Sequence, residues 1–276
     1  MSSTARTPMS PDRPLQQEYE VRFDWAREGL RSIGQGAGVI VVIDAISFTT
    51  TVERAVSEGL EVQPFAGTRA EAEAVAAGGG FGAARLAGPR GGDGVTLSPS
   101  SLTAENVAAF GATRAVVPSF NGSRLSAAAA AFGVPVLAAS LRNRTAVAQW
   151  ILARQHAVGH RVKVAVVAGG EVRDDDTVRF SVEDLLTAGA VIDALGGLGI
   201  DACSPEAAAA CAAYTGLARA ARHLFTASTS GVELRDDYGQ GGDVLIAAET
   251  DVSTTVPVLV DGVFREADPG DLADGR

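Results

Sequence analysis

Hydrophobic positions recur along this chain in two rhythms that take turns. Tyr19–Phe23 alternates apolar and polar residues as a strand does, and Trp25–Ile33 repeats at helical spacing. Val39–Ile43 is an unbroken β-branched run, the pattern of a strand buried on both faces. Thr50–Glu58 is helical and stops at Gly59, and Glu61–Phe65 is the next strand. Thr68–Ala77 follows as a helix opened by Thr68, with Glu71 at its third position, the pairing of a capping box. Beyond the glycine-rich Gly78–Ser101, helix signals return at Thr103–Phe110, Ser126–Phe132, Thr145–Ala157, Ser181–Leu195 and Pro205–Arg222. Strand signals return at Arg114–Val117, Val134–Ala138, Val162–Val167, Val244–Ile246 and Val256–Val260.

Alternation of this kind predicts an α/β fold, a layered α/β/α arrangement around a mostly parallel or mixed sheet. One main domain is expected over residues 19–262, with a candidate subdomain boundary near 195–205 where glycines cluster. Residues 1–18 are polar and proline-bearing and read as a disordered leader, and residues 263–276 as a loose tail. Gly78–Ser101 reads as a flexible surface loop or a phosphate-facing one.

Composition narrows the function classes. The chain has 276 residues, 46% of them hydrophobic, enough for a sizeable core. No apolar run approaches the ~20 residues of a membrane span, and the leader lacks the apolar middle of a secretory signal. A cytoplasmic location is therefore expected. A net charge of −10 argues against general nucleic-acid binding. An anionic small molecule can bind only where arginines or a metal ion reverse the local field. Cys203 and Cys211 lie in an alanine-rich stretch without a CxxC pair and read as two buried free thiols.

In open α/β sheets, ligands sit at the carboxyl ends of strands. Those ends carry Asp44, Ser47, Thr49, Thr50 and Thr51; then Ser119, Asn121, Gly122 and Ser123; then Ser140, Arg142 and Asn143; and Gly169, Gly170 and Glu171. Asn121-Gly122 permits a tight turn and Ser123 begins a helix, which makes either an anion-binding helix start or an ordinary capped turn. Asp44 suits a hard cation such as Mg²⁺, or caps the following helix. Glu183 and Asp184 open a helix. They can serve its dipole or a metal ion, and because neighbours diverge by about 100° only one of them is expected to face a site. The acidic stretch 171–180 reads as a solvated surface. His156 and His160 are four apart, but Gly159 breaks the helix between them. No GxxxxGK[ST] or GxSxG motif occurs, and the glycines of "IGQGAGVI" precede their strand, which weakens a nucleotide-binding reading.

Taken in order, "VVIDAISFTTT", "LSP", "FNGS", "AASLRNRTAVA", "VEDLLTAGAVIDAL" and "STSGVELRDDYGQGGDV" resemble the 2-phosphosulfolactate phosphatase family, from about Tyr19 to Val260. The resemblance implies a mixed α/β protein and Mg²⁺-dependent hydrolysis of 2-phospho-3-sulfolactate, on the route to coenzyme M. It places Asp44, Asn121, Gly122, Ser123, Asn143, Glu183, Asp184 and Asp243 on positions the family fills. The chain departs at others: Ser47 stands where the family motif has an arginine, Pro89 where it has an acid, Phe120 where it has threonine and Ser230 where it has histidine. Arg90, Arg124, Arg142 and Arg144 are candidates to compensate.

The joint expectation is a Mg²⁺-dependent phosphatase acting on 2-phosphosulfolactate or a related small phospho-acid. Asp44, Asn121, Glu183 and Asp184 are its candidate catalytic residues. Ser47, Thr49, Thr50, Gly122, Ser123, Arg142 and Asn143 are its candidate substrate contacts, and Asp44, Glu183 and Asp184 its metal ligands. The rival is a family relative without turnover that binds a small anion or acts as an oligomeric partner; a homo-oligomer fits either.

Overall fold

A computed structural model describes residues 14–78, 84–173, 175 and 177–273. The chain opens with β1 (Val21–Trp25), α1 (Ala26–Ile33), β2 (Val39–Ile43), α2 (Phe48–Ser57), β3 (Glu61–Phe65) and α3 (Arg69–Ala77). An irregular stretch carries β4 (Ala84–Leu86) and a 3-10 turn at Pro99–Ser101 before α4 (Ala104–Phe110). Then come β5 (Arg114–Pro118), α5 (Gly122–Ala130), β6 (Val136–Ala138), α6 (Arg144–Val158), β7 (Val164–Ala168), and the short strands β8 (Glu171–Val172) and β9 (Val178–Arg179). The helices α7 (Val182–Gly197), α8 (Pro205–Leu217), α9 (Ala221–Ala227), α10 (Thr229–Asp236) and α11 (Gly241–Ala247) lead to a hairpin of β10 (Pro257–Val260) and β11 (Val263–Glu266).

The strands β1, β7, β2, β6, β10, β11, β3, β5 and β4 form, in that order, one nine-stranded sheet. The first four are mutually parallel, as are the last three, and the hairpin between the two blocks is antiparallel to both neighbours. Strand alternation divides β2 between two cores. Val39, Val41 and Ile43 pack with α6 and α7, while Ile40 and Val42 pack with α1 and α5. Phe48, Val52 and Val56 of α2 meet Phe264 of β11 and Val62 of β3. The expected layered α/β architecture with a mixed sheet is present. Across the 195–205 connection α7 and α8 pack along each other, so closely that a Cβ on Gly189 would fall 2.0 Å from the Ala210 carbonyl oxygen. Residues on both sides of that connection build the one sheet.

Four sequence expectations need correction. Val244–Ile246 lies in the helix α11, where Val244 and Ala247 face the core at helical spacing; three apolar residues are too few to separate the two periods. The supposed tail contributes β11 to the middle of the sheet, with Phe264 fully buried. The leader is anchored where described: the Leu15 N–H donates to the Ser32 carbonyl and the Gln16 side-chain amide brackets Phe23. Its residues 1–13 lie outside the described residues. Cys203 and Cys211 are free but only half-buried, and burial pushes the Cys203 thiol up to about 11, which makes it a poor nucleophile. Among the described residues no helix is long and apolar enough to cross a membrane.

Candidate active site

The end of β2 answers why hydroxyls crowd there. The Thr49 hydroxyl donates to the Asp44 carbonyl at 3.0 Å and accepts from the Asp44 N–H at 3.3 Å. Thr50 donates to the Ala45 carbonyl at 2.8 Å and Thr51 to the Ser47 carbonyl at 2.7 Å. The Asp44 and Ser47 carbonyls also accept from the Thr49 and Thr51 N–H groups at 2.8 and 2.9 Å, so there the hydroxyls add a second bond, whereas Thr50 supplies the Ala45 carbonyl with its donor. Thr49 and Thr50 are fully buried, so they hold the turn and do not meet a substrate. The turn in return presents Asp44 and Ser47 to a cleft of about 340 Å³.

That cleft collects Asp44 and Ser47 from the β2 end, Asn121 from the β5 end and Glu171 from the β7 end. The two parallel blocks run oppositely by pairing. Strand twist of roughly 20–25° per neighbour accumulates between them, and α5 packs back against β2. The Asn121 amide donates to Glu171 Oε2 at 3.0 Å and its oxygen accepts from the Val172 N–H at 3.4 Å. The Gly122 N–H lowers the proton affinity of Asp44, so the helix start acts on an anion belonging to the protein itself. A Cβ on Gly122 would fall 2.2 Å from Phe48 Cδ1, so only glycine lets α5 approach this far. Gly122→Ala is expected to cost about 1–3 kcal/mol by overpacking and to weaken turnover by displacing the N–H from Asp44. Urea unfolding together with phosphate release checks this, and wild-type behaviour in both would remove the positioning role.

The carboxylates divide their labour. Asp184 accepts from the Ala45 N–H at 2.8 Å and from the Gly170 N–H at 2.9 Å, one bond per oxygen. It ties the ends of β2 and β7 together beside Asp44 and is not among the residues that line the cleft. Glu183 is also buried outside the cleft lining and acts on the cleft through its charge. Burial pushes Asp44 up to about 7, and the Glu171 and Glu183 charges push the same way. Arg90 and the Gly122 N–H oppose them. Burial likewise raises Glu171 against the Asn121 hydrogen bond, and burial with Asp44 and Glu183 raises Asp184 well above the usual carboxylate range.

Three further expected contacts serve the fold. Arg142 donates to the buried Glu53 carboxylate at 2.6 Å and pairs with Glu249, away from the cleft. Asn143 accepts from the Ser140 N–H at 2.9 Å and donates to the Thr255 carbonyl at 3.0 Å, joining the β6 end to the segment before β10. The Ser123 hydroxyl donates to the Val117 carbonyl at 2.8 Å and accepts from the Ser119 N–H at 3.2 Å, closing the turn into α5. Gly159 ends α6 with φ 73° between His156 and His160.

Further residues of the cleft come mainly from Gly78–Ser101 and α10, and of the four arginines named as able to compensate it is Arg90 that lines it. Arg90 donates to the Ser47 hydroxyl at 2.9 Å and lies 3.7 Å from the fully buried Asp243. Ser98 donates to Asp243, and the Ser100 N–H donates to its other oxygen at 3.1 Å. A guanidinium thus reaches the position of Ser47 from a remote loop. Two donors remain unused: Arg90 Nη1 and Ser230 Oγ are buried, lie at the cleft and make no hydrogen bond. The sequence marked Arg90 as one of four arginines able to compensate for the missing one, and marked Ser230 only by its departure from the family motif.

Asp44 and Glu171 fit a hard cation. A buried and a half-buried carboxylate, both with raised proton affinity, are electrostatically unfavourable together unless protonated or neutralised. Among the described residues no three His, Cys, Asp or Glu side chains group tightly enough to cage a metal ion. Mg²⁺ asks for less, since it binds through one or two carboxylates and keeps several waters.

A family model described as 2-phosphosulpholactate phosphatase matches residues 28–262. A protein named probable 2-phosphosulfolactate phosphatase, from Synechococcus sp. (strain CC9605), is 34% identical over 238 residues, spanning 82% of this chain and 91% of that one. The matched region runs from before Asp44 to beyond Asp243 and so contains the whole cleft. This chain belongs to the 2-phosphosulpholactate phosphatase family, whose members are phosphoric monoester hydrolases.

Proposed function

We propose that this cleft hydrolyses a small anionic phosphate monoester with Mg²⁺ as cofactor, the class to which 2-phosphosulfolactate and related phospho-acids belong. One observation carries the reading: two buried donors without a hydrogen bond, Ser230 Oγ and Arg90 Nη1, the latter 3.7 Å from Asp243, belong to residues that share a cleft with the raised carboxylates Asp44 and Glu171. Unused buried donors are costly without a partner, and a phosphoryl group supplies acceptor oxygens to both.

Asp44 would hold Mg²⁺, with Glu183 adding negative potential from behind. When bound, the ion would supply the positive charge that lets a dianion approach these carboxylates. Arg90 and Ser230 would bind phosphoryl oxygens and keep their bonds as negative charge builds on those oxygens in the transition state. Glu171, oriented by the Asn121 amide, would accept the proton of the attacking water; its raised pKa moves it toward the operating pH of a general base. Asp184 would position the Ala45 and Gly170 backbones, next to Asp44, without touching the substrate.

A panel of phosphate monoesters that includes 2-phosphosulfolactate and 2-phosphoglycerate tests this, with and without Mg²⁺. Phosphate release that stops with EDTA and returns with added Mg²⁺ is expected. Absence of release from every ester under both conditions would leave an anion-binding relative without turnover, and the reading would fall.

A further inference from the structure

A second hollow opens at the other end of the strands that carry the cleft. Residues 36–38, which lead into β2, line it together with His160, Arg161 and Lys163, which lead into β7, and with Arg154 near the end of α6. The Gly38 and Val39 N–H groups donate to the Lys163 carbonyl at 2.9 and 3.2 Å and hold the two approaches together. Five-residue strands at about 3.3 Å per residue put this hollow roughly 15 Å from the strand ends that carry Asp44 and Glu171. Its volume of about 260 Å³ leaves room for a small oxyanion and its waters, one water taking roughly 30 Å³.

The charge here is one-sided. The whole chain carries −10, yet among the described residues no acid lines this hollow. Arg154 is 5% exposed and forms no ion pair among the described residues. Its Nη1 donates to the Asp271 and Leu272 carbonyls at 3.0 and 3.1 Å, and its Nε makes no hydrogen bond. The Asp271 carboxylate does not answer it, because Arg265 holds both of its oxygens at 2.8 and 2.9 Å. Burial lowers the Arg154 pKa, the mark of a charge kept from water. Lys163 also meets a neutral partner, donating to the Gln17 carbonyl at 2.7 Å. Arg161 differs: it pairs at 2.5 Å with the buried Glu20, which also accepts from the Gln155 amide at 2.8 Å.

Two positive charges, those of Arg154 and Lys163, thus stand at one hollow without a carboxylate. A buried guanidinium that meets only neutral carbonyls is destabilised until a counter-ion reaches it. Guanidinium and ammonium groups donate and never accept, so the ligand they fit is all acceptor. We propose that this hollow is a second ligand site, separate from the catalytic cleft, and that it takes a small tetrahedral dianion such as sulfate or phosphate between Arg154 and Lys163. With exposed Lys163 at its rim and no metal ion, it is expected to bind less tightly than the Mg²⁺-loaded cleft.

Calorimetric titration of sulfate tests this at pH 8 and low ionic strength, in buffer freed of divalent metal. Under those conditions the Asp44 and Glu171 carboxylates repel a dianion from the cleft, so the two sites are read apart. One saturable site per chain is expected in the wild type and, with similar affinity, in Arg90→Ala. Affinity is expected to fall at least about tenfold in Arg154→Gln and several-fold in Lys163→Gln. Acetate, with a single charge, is expected to bind the wild type several-fold more weakly than sulfate. Lys163 is exposed, so its variant gives a reading even if Arg154→Gln folds poorly. Absence of saturable binding, affinity unchanged in both Arg154→Gln and Lys163→Gln, or acetate binding as tightly as sulfate would overturn the inference. Binding lost in Arg90→Ala but kept in the other two variants would place the anion in the catalytic cleft and overturn it as well.

Discussion

Asp44→Asn is expected to abolish turnover and, in metal-free protein at pH 8, to make the chain more stable. Asp44 is 8% exposed and is pushed up to about 7 from the ordinary 3.8, by burial first and then by Glu171 and Glu183. A carboxyl whose folded-state pKa lies above its unfolded value binds its proton more tightly in the native state. Stability therefore falls as pH rises from about 4 to about 7, and the whole penalty is present above that window. Three pKa units at about 1.4 kcal/mol each set a ceiling of roughly 4 kcal/mol. Asparagine carries no charge to bury. Its advantage in thermal unfolding should be small at pH 5 and several degrees at pH 8 in EDTA. Phosphate release should fall at least about 100-fold. A less stable variant at pH 8, or one that keeps turnover, would show that Asp44 is not the buried charge around which this site is arranged.

Arg90→Ala is expected to damage both stability and catalysis. Burial lowers the Arg90 pKa, while Asp243 and Asp44 pull it back up. Removing the guanidinium leaves fully buried Asp243 with bonds from Ser98 and Ser100 but without its cation. Stranding a buried charge costs about 3–5 kcal/mol in comparable cases; the 3.7 Å separation puts this one toward the lower end. Loss of the phosphoryl donor should lower kcat/KM by about 100-fold or more. Arg90→Lys should recover much of the stability and little of the activity. One ammonium cannot reproduce a planar fork that serves Ser47, Asp243 and a phosphoryl oxygen at once. Urea unfolding and steady-state kinetics on the three proteins separate the effects; wild-type kcat/KM in the alanine variant would remove Arg90 from the site.

The opposite signs expected for stability show what kind of information the sequence carried. Strand and helix positions were legible wherever residue type and periodicity agree. Val39–Ile43 and Glu61–Phe65 fall on β2 and β3, and Thr68 with Glu71 forms its capping box, the Thr68 N–H donating to the carboxylate at 2.8 Å. Periodicity failed where runs were short, as in α11 and in the four-residue β11, which the two-residue turn Asp261-Gly262 joins to β10. At the site, Asp44 and Asn121 were legible because strand ends gather ligands in sheets of this class. Asp184, Thr49, Thr50, Ser123, Arg142 and Asn143 were identified as polar residues at the right ends, but their role depends on which backbone groups need partners. Sequence spacing does not show that. Arg90 arrives from a loop and Ser230 from the start of α10, 43 or more positions from Ser47, and only the folded chain places them beside it.

The measurement that bears most directly on the account is calorimetric titration of inorganic phosphate, the product, into wild-type protein, Arg90→Ala and Ser230→Ala in the presence of Mg²⁺. Saturable binding to the wild type is expected, weakened at least about tenfold in the arginine variant and several-fold in the serine variant, with all three folded by circular dichroism. Phosphate binding equally well to all three would place the phosphoryl group elsewhere and contradict the assignment of this cleft.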